Sequence, residues 1–221
     1  MRFREPGKWR ADVRENEIVA RGYDHIADVY LEWTTGSPLR ERWLNELSNI
    51  LPLRGDVLDL GCGAGIPVAR RLTEMGFSVL GIDGSSRQIA LACKNEPHAE
   101  FRLADMVSVS FPIASFAAIT AFYSITHVRR AEHAAMFKRI AKWLKPGGIF
   151  LASLGYRDTP GWTGEWLGTT MYFSHFDAET NITLVEEAGL VIRQREIIGE
   201  EESGKMTEFL WVVAQKPSLG L

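Results

Sequence analysis

The segment Val57-Leu58-Asp59-Leu60-Gly61-Cys62-Gly63-Ala64-Gly65 decides how the rest of the chain is read. A short apolar strand enters a glycine-rich turn whose missing side chains let backbone approach a ligand, and the following helix offers its N-terminal N–H groups. Such a turn can also serve only to pack strand on helix, so the spacing has to discriminate. A dinucleotide fingerprint needs G-x-G-x-x-G/A, but the sixth position counted from Gly61 is Ile66, which leaves G-x-G-x-G. NAD and FAD are therefore disfavoured.

Moving outward, Val79-Leu80-Gly81-Ile82-Asp83 is a second strand ending on an acid. In a parallel sheet that carboxylate lies beside the first glycine turn and can accept both ribose hydroxyl protons of an adenosine. It could equally cap the next helix, with Ser85 and Ser86 as rivals. Ala104-Asp105-Met106 follows a third strand, where an acid can accept from an exocyclic amine and a methionine can cover a ring; alone it would be a solvated turn.

Phe116 to Phe122 and Ile149 to Ala152 supply two more strands, with helices between at about Pro67 to Met75, Ser86 to Lys94 and Arg130 to Leu144. Alternating strands and helices predict a Rossmann-like, doubly wound α/β sheet, mostly parallel and covered on both faces. Upstream, Glu15 to Leu51 reads as helical, broken at Gly36-Ser37-Pro38 with Ser37 as N-cap and Pro38 at the first helical position. Downstream, Gly155 to Phe176 is long for a loop and rich in aromatics, which marks a functional insertion. A helix from Asp177 to Ala188 precedes strands Val191 to Ile198 and Glu208 to Ala214, expected to close the sheet as an antiparallel hairpin around the polar turn Glu200 to Lys205. The reading is one domain: helical cap or lid over about 1–54, cofactor-binding core 55–154, aromatic insertion 155–176, and C-terminal helix and hairpin 177–221, with seven strands in the sheet.

The 221 residues suit a single large domain, and 46% hydrophobic with 24% charged residues is ordinary for a globular chain. A net charge of -3 lacks the basic excess of nucleic-acid binders, so no nucleic acid is expected. No apolar run approaches a membrane span and the first residues carry no apolar leader core, so the expectation is a cytoplasmic protein without a membrane partner, monomeric or homodimeric. Cys62 and Cys93 read as reduced thiols, and neither cysteine spacing nor an acidic cluster points to a metal. Five of the seven tryptophans, Trp9, Trp33, Trp43, Trp162 and Trp166, fall outside the core segment, which predicts an aromatic cap; Trp143 and Trp211 are assigned to the scaffold.

The ordered set Asp59 to Gly65, Gly81-Ile82-Asp83, Ala104-Asp105-Met106 and Leu144-Lys145-Pro146-Gly147-Gly148 resembles class I S-adenosylmethionine-dependent methyltransferases, from about Tyr23 to the C-terminus. The resemblance implies S-adenosylmethionine as cofactor and S-adenosylhomocysteine as product. It implies that Asp59, Gly61, Cys62, Gly63 and Gly65 hold the methionyl part, Asp83 with Gly84 the ribose, and Ala104, Asp105 and Met106 the adenine, while Lys145 to Gly148 turns into the fifth strand. Tyr23-Asp24-His25-Ile26-Ala27-Asp28-Val29-Tyr30 is similar to the tyrosine-bearing lid helix of the small-molecule branch, so Tyr23 and Tyr30 inherit a cofactor role; both could instead face the core. Phe122 and Tyr123, which follow the fourth strand at the lip where methyl group and acceptor should meet, are likewise expected to bind the cofactor. Ala117 stands where the family often has Asp, so that polar contact is absent.

His127 is the first candidate base and His175 the second; His127 could also serve only its own loop. His25, His98 and His133 are expected to be solvated. Ala121 to Ser124 lacks the N/D-P-P-Y/F signature of amide and adenine nitrogen methylation. Trp162, Trp166, Met171 and Phe173 are the candidate substrate-binding residues around a small, partly apolar acceptor. The reading is methyl transfer to a small molecule. Its rivals keep the cofactor-binding fold for a non-methylating reaction, or for a non-catalytic module that senses the cofactor or binds a partner.

Overall fold

Alternation along the strands builds the architecture. In β1 (Asp56–Leu60), Val57 points to one face of the sheet while Leu58 and Leu60 point to the other, and all three are fully buried. Strands buried on both faces demand helices on both sides. The structure is a computed structural model describing residues 15–51, 55–202 and 205–218. Trp9, the outer parts of the expected cap and the centre of the last polar turn lie outside the described residues.

The chain runs through α1 (Glu15–Thr34), α2 (Pro38–Ile50), β1, α3 (Val68–Glu74), β2 (Ser78–Asp83), α4 (Ser86–Asn95), β3 (Glu100–Leu103) and β4 (Phe116–Ala121). After a 3-10 turn at Ile125–His127 come α5 (Arg130–Trp143), β5 (Leu144–Gly155), β6 (Thr159–Trp166), β7 (Thr169–His175), α6 (Ala178–Glu187), β8 (Val191–Glu202) and β9 (Lys205–Gln215). The seven-stranded sheet has the order β3-β2-β1-β4-β5-β9-β8. β1 to β5 run parallel, and β9 inserts antiparallel between β5 and β8. Strand order reverses between β1 and β4, which opens a crevice beyond their carboxyl ends.

Local chemistry starts the helices. The Ser37 side chain accepts from Arg40 N with Pro38 at the first position of α2, Ser85 caps α4 by accepting from Gln88 N, and Asp177 caps α6 by accepting from Thr180 N. α5 and α6 cover one face through Phe137, Ile140, Ile182 and Val185; α2 and α3 cover the other through Leu44, Leu47, Ala69 and Leu72. Among the described residues no helix is long and apolar enough to cross a membrane.

Four sequence readings change. The expected loop within 155–176 is a two-stranded sheet, β6 on β7, turned at Leu167 and Gly168 with φ of 49° and 79°. Pro160, Gly161 and Gly164 break the strand pattern in sequence, yet Gly164 is required because the Trp162 ring lies where a Cβ would sit, within 2.2 Å. β5 begins at Leu144 rather than Ile149, since Leu144 already pairs with Phe116 and the Lys145 to Gly148 turn becomes an irregularity inside the strand. His133 is not solvated: it is buried on the apolar face of α5, its Nε2 3.0 Å from the Val128 carbonyl. Trp43 is scaffold, not cap: it is fully buried and stacks on Trp211 with centroids 5.3 Å apart and planes 3° from parallel.

Removing one ring of that stack leaves a void no neighbour can fill. Trp43→Ala should cost about 3–5 kcal/mol, read as a lower denaturant midpoint with unchanged slope and a melting temperature lower by roughly 2–4 °C per kcal/mol.

Candidate functional site

The turn after β1 is shaped by its glycines. Gly61 has φ 77°, and a Cβ there would come within 2.3 Å of Ser124 Cβ; Gly63 has φ 52°. Asp83 joins this turn to the next: one carboxylate oxygen accepts from Gly63 N at 2.9 Å and the other from Ser85 N at 2.8 Å. Capping of α4 is left to Ser85, so Asp83 is not its N-cap. Burial raises the Asp83 carboxyl above its ordinary value, against the lowering effect of those N–H groups.

Beyond these turns lies a cavity of about 580 Å³. Gly61, Gly63, Asp83, Gly84, Ala104, Asp105, Met106, Phe122, Tyr123, Tyr23, Tyr30 and His127 all line it. Asp59, Cys62 and Gly65 do not. Asp59 is buried beneath the turn, accepts from Thr120 Oγ1 at 2.7 Å, and is pushed up to about 7 by burial. Cys62 is buried with its thiol toward the Gly63 carbonyl, and Gly65 lets Phe101 and Ala92 approach. These three shape the turn from behind.

Helix α1 roofs the cavity and is fastened by polar bonds. Asp24 Oδ1 accepts from Ser85 Oγ at 2.6 Å and from Arg87 N at 2.9 Å, Arg87 pairs with Asp28, and Asn16 Nδ2 donates to Asp105 at 2.9 Å. Tyr23 meets His127 Nε2 at 2.9 Å, while His127 Nδ1 lies 2.7 Å from the Tyr172 carbonyl. A carbonyl can only accept, so Nδ1 carries the proton and Nε2 accepts from the Tyr23 hydroxyl. Burial pushes the imidazole down to about 4.

His175 does not join this group. Its Nδ1 is 2.6 Å from the Arg157 carbonyl at the base of the β6–β7 hairpin, and it does not line the cavity. Neither do Trp162, Trp166, Met171 and Phe173. They form the layer behind: Phe173 packs on His127 at 4.5 Å, Trp166 on Tyr23 and Tyr30 at 6.1 Å, and Met171 is buried against Gly22 of α1. Trp162, 45% exposed, stacks obliquely on Phe173.

The sequence of residues 57–148 matches the family of methyltransferase domains. Residues 57–148 thus read as a methyltransferase domain. A relative from Amycolatopsis mediterranei, 27-O-demethylrifamycin SV methyltransferase, is 33% identical over 155 residues, an alignment covering 60% of this chain and 56% of that protein. The chain thus spans little more than half the length of that curated relative. Among solved structures, an S-adenosylmethionine-dependent methyltransferase from Methanosarcina mazei superposes with a TM-score of 0.70 at 23% identity, over 79% of this chain and 98% of that one. The [4+2]-cyclase SpnF superposes at 0.72 with 17% identity, over 93% and 97%. At these identities the two likenesses speak for the fold alone.

The cavity of this methyltransferase domain fits the cofactor by an observation independent of family. Gln88 in the first turn of α4 lines the cavity and is 1% exposed, yet its amide oxygen and nitrogen both lack a hydrogen-bond partner. An unpaired buried amide is costly, and a nucleoside edge offers the donors and acceptors it needs. Asp83, with Gly84 and Gln88, could hold the ribose; Asp105 and Met106 could hold the adenine. Among the described residues no cluster of His, Cys, Asp or Glu could hold a metal ion. Sequence reading missed Gln88, Asp24 and Asn16. A polar residue three positions past a helix cap, on the side facing the glycine turn, was the available signal for Gln88; the partners of Asp24 and Asn16 lie too far along the chain to be read.

Gln88→Leu should have effects of opposite sign. The ligand-free protein gains stability on the order of 1 kcal/mol from losing unpaired polar atoms, while affinity for S-adenosylhomocysteine falls about tenfold. Thermal melts and calorimetric titration read the two.

Proposed function

We propose that the chain transfers a methyl group from S-adenosylmethionine to a protic group on a small-molecule acceptor. The observation that carries this reading is the Tyr23–His127 pair on the cavity wall, in the domain's crevice and beside the strand ends. Bound S-adenosylmethionine supplies an electrophilic methyl group on a sulfonium. The protein's part is to hold both partners in line and to exclude water, which can be worth about 7–11 kcal/mol.

On this reading Gly61 and Gly63 bring backbone close to the methionyl part, and α1 closes over it through Asp24 and Asn16. The Tyr23 oxygen, whose proton is directed at His127 Nε2, takes up the proton of an acceptor O–H, N–H or S–H on this reading. As the acceptor loses its proton, the proton passes to Tyr23 while the Tyr23 proton moves to His127 Nε2. An imidazole held near 4 is a weak base, but it is neutral and ready at every pH above that value. The β6–β7 hairpin supports Tyr23, Tyr30 and His127 from behind, replacing the direct acceptor contacts expected of its aromatic residues. We read the chain as one catalytic unit working in the cytoplasm as monomer or homodimer. The likeness to a [4+2]-cyclase in fold leaves cofactor turnover as the measurement that separates methyl transfer from a non-methylating reaction.

The test incubates protein and S-adenosylmethionine with hydroxyl, amine and thiol acceptors, following S-adenosylhomocysteine by mass spectrometry. Methyl transfer releases it in step with methylated product; a product formed with no cofactor consumed would overturn the reading. Tyr23→Phe and His127→Asn should each lower kcat by about 10²–10⁴, leaving S-adenosylhomocysteine affinity within tenfold.

The rate should also be level from pH 6 to 8. Folding lowers the His127 pKa, so the neutral base is retained throughout that window and is lost only as pH falls toward about 4. An inflection near 6.5 would remove His127 from the role.

A further inference from the structure

A single hydroxyl joins the two segments that meet at His127. Ser174 on β7 is fully buried. Its Oγ accepts from Arg130 N at 3.0 Å and donates to the Pro160 carbonyl at 3.3 Å. Each contact answers a local deficit. Arg130 opens α5, whose N-cap residue Arg129 gives no side-chain hydrogen bond, so a first-turn N–H is left for an acceptor from elsewhere in the chain. Pro160 lies where the β6–β7 register slips between Thr159 and Trp162, a slip that puts the intervening residues outside the regular ladder.

The Arg130–Ser174 bond runs beside a second bond between the same two segments. His127, three residues before Arg130, has Nδ1 2.7 Å from the carbonyl of Tyr172, two residues before Ser174. One such bond is a hinge; two fix the strand against the turn. The remaining tie to Arg130, its ion pair with Asp158, joins side chains 31% and 52% exposed and is therefore weak. The consequence falls on the imidazole. With Nδ1–H held to the Tyr172 carbonyl, Nε2 is an acceptor for the Tyr23 hydroxyl. Once that carbonyl drifts, the other tautomer finds a partner too, because Nε2–H can donate to the Tyr23 oxygen, and the imidazole can then no longer take up the Tyr23 proton.

We propose that Ser174 is a positioning residue for His127: its buried hydroxyl pins β7 to the start of α5 and so holds the Tyr172 carbonyl where it fixes the proton on Nδ1. Ser174 does not line the cavity and acts through its neighbours alone. The effect on proton transfer rests on the methyltransferase reading above; the tautomer itself does not.

The test reads the His127 tautomer in the intact, ligand-free chain by long-range proton–nitrogen correlation spectra, with His127→Asn assigning the signal. At pH 7 the imidazole is neutral, since its value lies at about 4. The expected result is a proton on Nδ1 in the intact chain, and a rise of at least about fivefold in the ratio of Nε2–H to Nδ1–H in Ser174→Ala, the worth of one net hydrogen bond. Asp158→Asn, which removes the exposed ion pair to the same arginine, should leave the tautomer as it was. Ser174→Cys, close in shape with a weaker acceptor, should fall between and is the second variant if Ser174→Ala does not fold. A proton on Nε2 in the intact chain, or an unchanged tautomer in a folded Ser174 variant, overturns the proposal. An equal shift in Asp158→Asn also overturns it, because docking of the whole hairpin is then the cause. Calorimetric titration with S-adenosylhomocysteine keeps the two readings apart. Ser174→Ala should bind it within about threefold of the intact chain; a larger loss means that the cavity has changed shape and overturns the proposal. Failure of the intact chain to bind it overturns the methyltransferase reading and leaves the tautomer result standing.

Discussion

Everything at the cavity depends on where the two oxygens of Asp83 are tied. One holds Gly63 and the other Ser85, so the turn after β1 and the start of α4 are fixed to a single carboxylate at the end of β2. Ser85 in turn caps α4 and receives Asp24 from α1, which sets the roof over the same crevice. A partly buried carboxyl with a raised pKa is tolerable because two backbone N–H groups point at it. The site is thus a chain of short polar links built onto a sheet that is apolar on both faces.

Chemistry and shape are divided among elements of different character. The parallel strands β1, β2 and β4 supply rigid ends. The 3-10 turn that follows β4 brings His127 into the wall, and α1 brings Tyr23 across to it, 104 residues away in sequence. The β6–β7 hairpin contributes little direct lining but holds that pair from behind through Phe173, Trp166 and the Tyr172 carbonyl. Without the Tyr172 carbonyl nothing would fix the proton on Nδ1, and Nε2 would not be an acceptor for Tyr23.

Much of the backbone around the cavity is legible in the sequence because it is local. The glycine spacing from Gly61 to Gly65, the strand-end acid Asp83 and the Ser37-Pro38 helix start each follow from a few neighbouring residues. What failed was long-range. Trp43 looked like part of a cap because its partner Trp211 lies on the far side of the chain's linear order. His133 reads as solvated by its polar neighbours, yet His133, Met136, Phe137 and Ile140 share one helical face, a spacing that places it inward. His127 and His175 both sit near aromatics; only the tertiary fold shows that the first meets Tyr23 and the second its own hairpin. Trp162, Trp166, Met171 and Phe173 all lie on the β6–β7 hairpin, and none of them lines the cavity.

The insertion of β9 between β5 and β8 bears on how the chain reaches its native state. Trp211 on β9 forms its largest flat contact with Trp43 on α2, so one whole face of the sheet is completed by elements from opposite ends of the described chain. Until β9 arrives, β5 is an open edge and the α2 layer has no floor beneath Trp43. Assembly of this face is therefore a late, non-local event, and a chain halted before β9 would expose an unpaired strand beside a bare indole, the combination most prone to pairing with another copy.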